Sequence, residues 1–240
     1  MQINFVKGTI TTKLNVTAEG TDFFVKSANI IVTDKETRNE FRLFKVNYIG
    51  KKPLDLKIGD RVVFVGEIIG DQNGRPYIRE TSEGAVWTAF DIETARIYKD
   101  TEDFCFSYLL GNLGKEPDNR FTPDGDFVSS FSFATNKSHK AGTEWITKTI
   151  WWRLTAWREL GERISNEAKK GMKLFIAGAL NYDPETGGPR LWDRTMDNGE
   201  KVPSASYEMT LYNYRKLEKG QNKDEQTPTE QQFGDEEIPF

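Results

Sequence analysis

The chain has 240 residues, 37% of them hydrophobic, with a mean hydropathy of −0.64 and no run near the roughly 20 apolar residues a spanning helix needs. Its first residues carry no apolar leader segment, so a cytoplasmic location is expected. A single cysteine, Cys105, excludes an intrachain disulfide framework, and a single histidine, His139, leaves a His-based metal site or a Ser-His-Asp triad without its parts; a binding protein is expected, with no catalytic residue, metal or cofactor.

In chain order, residues 1–100 show short alternating runs at 5–12, 23–33, 41–48, 61–69 and 76–80, separated by turn residues such as Asp71-Gln-Asn-Gly74. Five short strands and almost no helix predict a small closed barrel. Phe90-Asp-Ile-Glu-Thr94 follows. It resembles the first carboxylate motif of proofreading 3′–5′ exonucleases, because Asp91 and Glu93 share a strand face suited to Mg²⁺. It also reads as a strand or linker between two units.

Residues 101–217 repeat the theme. Asp124-Gly125, after Pro123, predicts a hairpin turn between strands at 107–111 and 127–135. A long strand is expected over 147–157. Leu160, Ile164 and Ala168, each four apart, then predict one short amphipathic helix stopped by Gly171. One segment recurs: Lys57-Ile-Gly-Asp-Arg-Val-Val-Phe-Val-Gly-Glu-Ile68 matches Lys169-Lys-Gly-Met-Lys-Leu-Phe-Ile-Ala-Gly-Ala-Leu180, pairing Gly59 with Gly171 and Gly66 with Gly178 at an offset of 112. A glycine entering the strand and another inside it suit the bend of a small barrel. Each copy lies late in its own unit, which predicts two similar barrels in tandem.

Aromatic residues carry the strongest chemical signal. Trp145, Trp151, Trp152, Trp157 and Trp192, five of the six tryptophans, lie in the second unit. Strand alternation puts Trp151, Arg153, Thr155 and Trp157 on one face and Trp152, Leu154 and Ala156 on the other. The second set reads as core. The first mixes aromatics with Arg, which makes a poor core and a good platform, since bases stack on aromatic rings for about 1–3 kcal/mol each. Lys169, Lys170 and Lys173 add positive charge beside Phe175.

The formal net charge of −4 is unevenly spread. Residues 217–240 hold two lysines against seven acids, a net −5, which leaves +1 for the rest. This segment has too few apolar residues to offset its ordering entropy and is expected to be a disordered acidic tail. It ends in Asp235-Glu-Glu-Ile-Pro-Phe240, an end suited to seating Phe240 in a pocket and laying acids along a basic rim.

Five blocks in order carry a resemblance. They are Leu110-Gly-Asn-Leu-Gly-Lys-Glu-Pro-Asp-Asn-Arg-Phe-Thr-Pro-Asp-Gly125, Val128-Ser-Ser-Phe-Ser-Phe-Ala-Thr-Asn136, Trp151-Trp-Arg-Leu-Thr-Ala-Trp-Arg-Glu-Leu-Gly-Glu-Arg163, Lys170-Gly-Met-Lys-Leu-Phe-Ile-Ala-Gly-Ala-Leu180 and the Ile238-Pro-Phe240 end. Together they resemble the bacterial single-stranded DNA-binding protein (SSB) family. The resemblance implies an all-β chain of two tandem five-stranded OB-fold barrels, the second with a short helix between strands 3 and 4, plus the tail. The units would be 1–100 (a diverged OB-fold), 101–217 and 218–240. It implies binding of single-stranded DNA without sequence specificity, in replication, recombination and repair. It also implies a homodimer presenting four OB-folds, a cytoplasmic, nucleoid-associated location, and partner recruitment by Asp235, Glu236, Glu237, Ile238, Pro239 and Phe240.

Residue by residue, Trp151 and Trp157 match stacking aromatics, and Trp192 matches a third one beyond the fourth strand. Arg120, Arg153, Lys170, Lys173 and Phe175 fall near the DNA path. The stretch 181–190 is longer than in the family, so Tyr182 is an alternative to Trp192. Trp145 takes the place of a further aromatic. Residues 1–100 carry none of the family blocks. There Phe23, Phe24, Phe41, Phe44, Tyr48 and Tyr77 are candidates for stacking, half or more of them expected in the core. A replication adaptor whose barrels bind proteins remains a second reading for this unit.

Overall fold

The structure is a computed structural model that describes residues 1–32, 37–51, 53–99 and 104–217. The acidic tail 218–240, with its proposed tip, lies outside the described residues.

The first unit contains β1 (Gln2–Ile10), the two-residue β2 (Asn15–Val16), β3 (Thr21–Val32), β4 (Thr37–Tyr48), β5 (Arg61–Ile68), β6 (Ile78–Glu80), β7 (Val86–Thr88), β8 (Phe90–Thr94) and β9 (Ile97–Lys99). β1 pairs with both β3 and β5, β3 with β4, β4 in parallel with β8, and β8 with β5, which closes a five-stranded ring. Alternation explains the closure: Val6, Phe23, Val25, Phe44, Phe64, Phe90 and Ile92 are buried on the inner face, while their neighbours face outward.

The fifth barrel strand is thus Phe90–Thr94 and not the expected run at 76–80. Ile78–Glu80 instead pairs with Val86–Thr88 in a small hairpin sheet outside the barrel. The reason is in the side chains. Ile78 and Glu80 are exposed, whereas Phe90 and Ile92 point two fully apolar groups into the core. Of the six candidate aromatics, Phe23, Phe44 and Tyr48 are core.

The second unit contains β10 (Phe104–Leu113), β11 (Asp118–Phe121), β12 (Phe127–Ala141), β13 (Glu144–Trp157), α1 (Arg158–Glu167), β14 (Lys173–Asn181), β15 (Leu191–Thr195), β16 (Lys201–Ala205) and β17 (Tyr207–Lys216). The ring repeats: β10 pairs with β12 and β14, β12 with β13, β13 in parallel with β17, and β17 with β14. The turn at Asp124-Gly125 joins β11 to β12 and does not connect directly back to β10. β11 is exposed at every position, so it left no periodic signal. Ile164 anchors α1 in the core, and Ala168 closes its end by donating its N–H to the Ile164 carbonyl.

The repeated glycines have a shared physical task. A Cβ on Gly66 would stand 2.5 Å from the Glu93 carbonyl oxygen, and one on Gly178 would stand 2.2 Å from that of Thr210. Each glycine lets the fourth strand cross close to the fifth.

The barrels share one core. β1 and β10 pair antiparallel from Gln2 opposite Leu109 to Lys7 opposite Phe104. Phe90 and Tyr207, each the first residue of its fifth strand, stack at 6.3 Å and 26°, and the Tyr207 hydroxyl donates to the Ile69 carbonyl at 2.6 Å. Two equivalent turns then clasp the partner barrel. Asp71 accepts the N–H groups of Asn73 and Arg75 at 2.8 and 2.9 Å; Asp183, 112 positions on, accepts those of Glu185 and Thr186, both at 3.0 Å. The first turn offers the Gly74 carbonyl to the Trp151 N–H, and the second offers the Gly187 carbonyl to the Leu43 N–H. The stretch 181–190 is therefore the clasp of the second barrel on the first.

Candidate nucleic-acid interface

The third strand of the second barrel builds the surface. Trp151 and Trp157 are 45% and 41% exposed on the outer face of β13, with Arg153 between them, while Trp152 is buried and donates its indole N–H to Thr135 at 3.0 Å. Across β12, the positions opposite Thr155, Arg153 and Trp151 are Ser130, Ser132 and Ala134. A row of large side chains thus stands beside a floor of small ones. Gly114 extends that floor: a Cβ there would meet the Trp151 ring at 3.0 Å.

β11 brings Arg120 to this face. Arg120 and Arg153 line one depression of about 160 Å³ with Ser130 and Thr155, tempered by Asp118 and by Glu208, which lies 3.9 Å from Arg153. Lys170 follows the helix, and its backbone N–H donates to Glu116 on the loop after Gly114. At the strand-to-helix corner Arg158 has a φ of 53°, a left-handed conformation unusual for a residue with a Cβ, and its guanidinium binds both oxygens of Asp126 at 2.9 and 3.2 Å. That hydrogen-bonded pair holds the Asp126 carboxyl below its usual range.

Trp192 projects, half exposed, from the β15–β16 hairpin, and Trp145 is exposed near the far end of the β12–β13 hairpin, opposite Lys140.

Two expected residues have other surroundings. Tyr182 is only 9% exposed; its hydroxyl donates to Glu40 and accepts from Asn29, and Arg42 lies over its ring. It belongs to the inter-barrel clasp and is no alternative to Trp192. Phe175 sits on β14, which β17 separates from β13 in the ring, while Lys173 of the same strand lies in one cross-strand row with Asn112, Ala134 and Trp151. Phe175 stacks on Tyr108 at 5.5 Å and 17°, in a cluster continued by Phe5, Phe106 and Tyr212. The equal parity of Phe106 and Tyr108 in the sequence was the signal for that face.

The first barrel differs at the matching positions. Phe44 pairs with Phe90 as Trp152 pairs with Tyr207, so Leu43, Lys45 and Asn47 stand where the second barrel has Trp151, Arg153 and Thr155. Lys45 is held by Asp22 at 3.1 Å. The aromatic missed here is Trp87: it packs on Phe24, and the Arg79 guanidinium lies over both Trp87 and Tyr77. Asp91, read as a metal ligand, is buried against Arg79, and burial raises its carboxyl above the usual range. Glu93 lies 4.0 Å from Lys137. Among the described residues no group of three or more His, Cys, Asp or Glu is arranged to hold a metal, and no helix is long and apolar enough to cross a membrane.

Comparison with known proteins places this geometry. Residues 107–187 match the single-strand binding protein family. The single-stranded DNA-binding protein 1 of Chlorobaculum tepidum is 32% identical over 94 residues, 39% of this chain and 54% of that protein. The single-stranded DNA-binding protein of Xanthomonas campestris is 35% identical over 81 residues, 33% and 46% of the two chains. The chain thus spans about half the length of the curated relatives it matches. Among solved structures, the wild-type single-stranded DNA binding protein from Thermus aquaticus superposes with a TM-score of 0.60 at 18% identity, covering 94% of this chain and 97% of that one. That likeness is one of fold and includes both barrels. The chain is therefore similar to the bacterial single-stranded DNA-binding proteins, by sequence across residues 107–187 and by fold across nearly its whole length.

Proposed function

We propose that this chain binds single-stranded DNA without sequence preference through Trp151, Arg153 and Trp157, with Arg120, Lys170, Trp192 and Trp145 extending the track. The observation that carries this reading is the exposed Trp-Arg-Trp row beside a floor of Ser and Ala. Rings of this kind stack on any base, and the guanidinium neutralises phosphate. Titrating the protein with dT oligomers should quench tryptophan fluorescence. Replacing Trp151→Ala and Trp157→Ala together should weaken binding by a few kcal/mol, given about 1–3 kcal/mol per stacked base. Unchanged affinity at moderate salt would sink the platform assignment.

The wider reading is of a binding protein, not an enzyme, that coats DNA during replication, recombination and repair in the cytoplasm, with units at 1–100, 101–217 and 218–240. Residues 235–240 would recruit partner proteins, tested by pull-down after their removal; retained partners would refute it. A homodimer of four barrels would form across the aromatic face of Phe5, Tyr108, Phe175 and Tyr212, since exposed apolar clusters of this size mark association sites. Light scattering tests it: Tyr108→Arg with Phe175→Arg should yield monomers, and an unchanged mass would exclude this face.

A further inference from the structure

In both barrels the third strand gains its last partner at the same place. Along β13, pairing with β17 begins at Trp152 opposite Tyr207; along β4, pairing with β8 begins at Phe44 opposite Phe90. The residue just before, Trp151 in one barrel and Leu43 in the other, lies outside that pairing. Its backbone N–H is taken by the opposite barrel instead: Gly74 accepts from Trp151 at 3.2 Å, and Gly187 accepts from Leu43 at 2.8 Å. A strand edge carries backbone donors that need a partner, and here each barrel supplies the other's. Between Glu144 and Trp151, β13 pairs with β12 alone among the described strands, so the Gly74 contact ties that stretch to the body of the molecule.

The two clasps are built alike but bear on different residues. Asp71 accepts the N–H groups of Asn73 and Arg75, which fixes the first turn. Gly74 then lies so close to β13 that a Cβ on it would stand 2.1 Å from the Thr149 carbonyl oxygen and 3.2 Å from the Ile150 Cα. Asp183 fixes the second turn in the same way, and a Cβ on Gly187 would meet the Phe41 ring at 2.5 Å. The first turn grips backbone that bears an exposed ring of the tryptophan row. The second grips Leu43, which bears none. The Trp151 ring is bounded on its own barrel by Gly114, so the side chain and the backbone of this one residue are both held.

We propose that the Asp71–Gly74 turn of the first barrel is a positioning element for Trp151: it fixes the strand edge from which the ring stands, so that a base meets a platform already in place. This rests on the reading that the Trp151 row binds single-stranded DNA. A ring whose backbone is free to fray must be ordered when the ligand arrives, and that cost is taken from affinity; a ring ordered beforehand spares it. Asp71 and Gly74 are thus positioning residues, and the first barrel strengthens binding on the second without itself touching the nucleic acid. The mirror clasp at Asp183 and Gly187 joins the barrels by the same contacts but holds no stacking residue, which makes it the internal control.

The test uses the full chain and a dT oligomer of about 8 nucleotides, within the reach of one barrel. Asp71→Ala removes the acceptor that fixes the turn, and Gly74→Ala forces the turn off Thr149, so the two loosen the clasp by independent means. Each should bind the oligomer about fivefold or more weakly than the parent, the lower end of what one stacked base supplies. Asp71→Asn keeps an oxygen for both N–H groups and should restore parental affinity. Asp183→Ala loosens the mirror clasp and should leave affinity within about twofold of the parent. In a Trp151→Ala background, Asp71→Ala should cost nothing further, because it acts through that ring. Equal losses from Asp71→Ala and Asp183→Ala, or the same loss from Asp71→Ala with and without Trp151, overturn the positioning and make the effect one of general loosening. Parental affinity in both clasp variants, with Trp151→Ala binding weakly, overturns the positioning and leaves the tryptophan row intact. Parental affinity in Trp151→Ala overturns both together. Should one clasp variant lose its folded circular-dichroism signal, the other decides by the same comparison with Trp151→Ala.

Discussion

Tyr207→Phe is the sharpest probe of the shared core. Tyr207 is fully buried, stacks on Phe90 of the other barrel and donates its hydroxyl to the Ile69 carbonyl at 2.6 Å. Removing one oxygen leaves the ring packing intact and that carbonyl without its partner, a loss of about 1–1.5 kcal/mol. For a folded unit of this size that is a melting-temperature drop of about 2–4 °C. The pH dependence makes the prediction specific. Burial, followed by the charge of Asp91, raises the Tyr207 hydroxyl well above its ordinary value of 10.0. A raised value means the folded state keeps its proton while the unfolded state loses it. The stabilisation is complete below about pH 10 and falls as pH rises, by about 1.36 kcal/mol per unit once the unfolded tyrosine ionises. The phenylalanine variant has no proton to lose at this position and escapes that penalty. The variant's deficit should therefore be constant to about pH 9, vanish near about pH 11 and reverse beyond it. Tyr77, Tyr182 and Tyr214 are raised as well, but they are common to both proteins and cancel in the difference. Urea unfolding followed by far-ultraviolet circular dichroism from about pH 8 to about pH 11.5 reads the crossing. A deficit that stays level across that range would refute the buried seam.

Three further outcomes are expected. Gly178→Ala should destabilise by about 1–3 kcal/mol in thermal melts, because its new Cβ would meet the Thr210 carbonyl oxygen at 2.2 Å; a neutral change would contradict the close strand crossing. Arg158→Gly should melt higher than Arg158→Ala by an amount equal to about 1 kcal/mol, since both lose the Asp126 pair but only alanine keeps the strain of a φ of 53°. With about three to four phosphate contacts on the tryptophan face, log affinity for dT oligomers should fall against log salt with a slope of about −2 to −3; a slope near zero would remove the arginines from the interface.

Much of the second barrel was legible in the sequence because its strands alternate cleanly. Trp151, Arg153 and Trp157 against Trp152, Leu154 and Ala156 is a period of two that survives folding unchanged. The fifth strand of the first barrel was not, because Phe90–Thr94 is five residues long and reads equally as a linker, while its Asp91 and Glu93 suggest a metal site. The packing of Phe175 on Tyr108 was hidden for a different reason. Alternation states whether a side chain points out of a barrel, but the direction of outward depends on the strand's place in the ring, and β14 lies two strands away from β13. Tyr182 illustrates the same limit: an aromatic in a long loop carries no periodic signal, and only the docked barrels show that its hydroxyl is shared between Asn29 and Glu40.

The internal repeat supplies a comparison that one sequence otherwise lacks. The halves agree where backbone meets backbone: Gly66 and Gly178 at the strand crossings, Asp71 and Asp183 in the clasping turns, and Phe90 and Tyr207 on the seam. Each agreement follows from closing and joining the barrels. They part on the outer face of the third strand, where Leu43, Lys45 and Asn47 stand opposite Trp151, Arg153 and Thr155. Nothing in the fold demands a tryptophan there, because the first barrel closes with leucine at the same place. Two large rings kept nearly half exposed oppose the general tendency to bury such surface. The fold therefore accounts for the shared residues, and a ligand with stacking faces accounts for the difference. On the proposed function, the main binding surface therefore belongs to the second barrel.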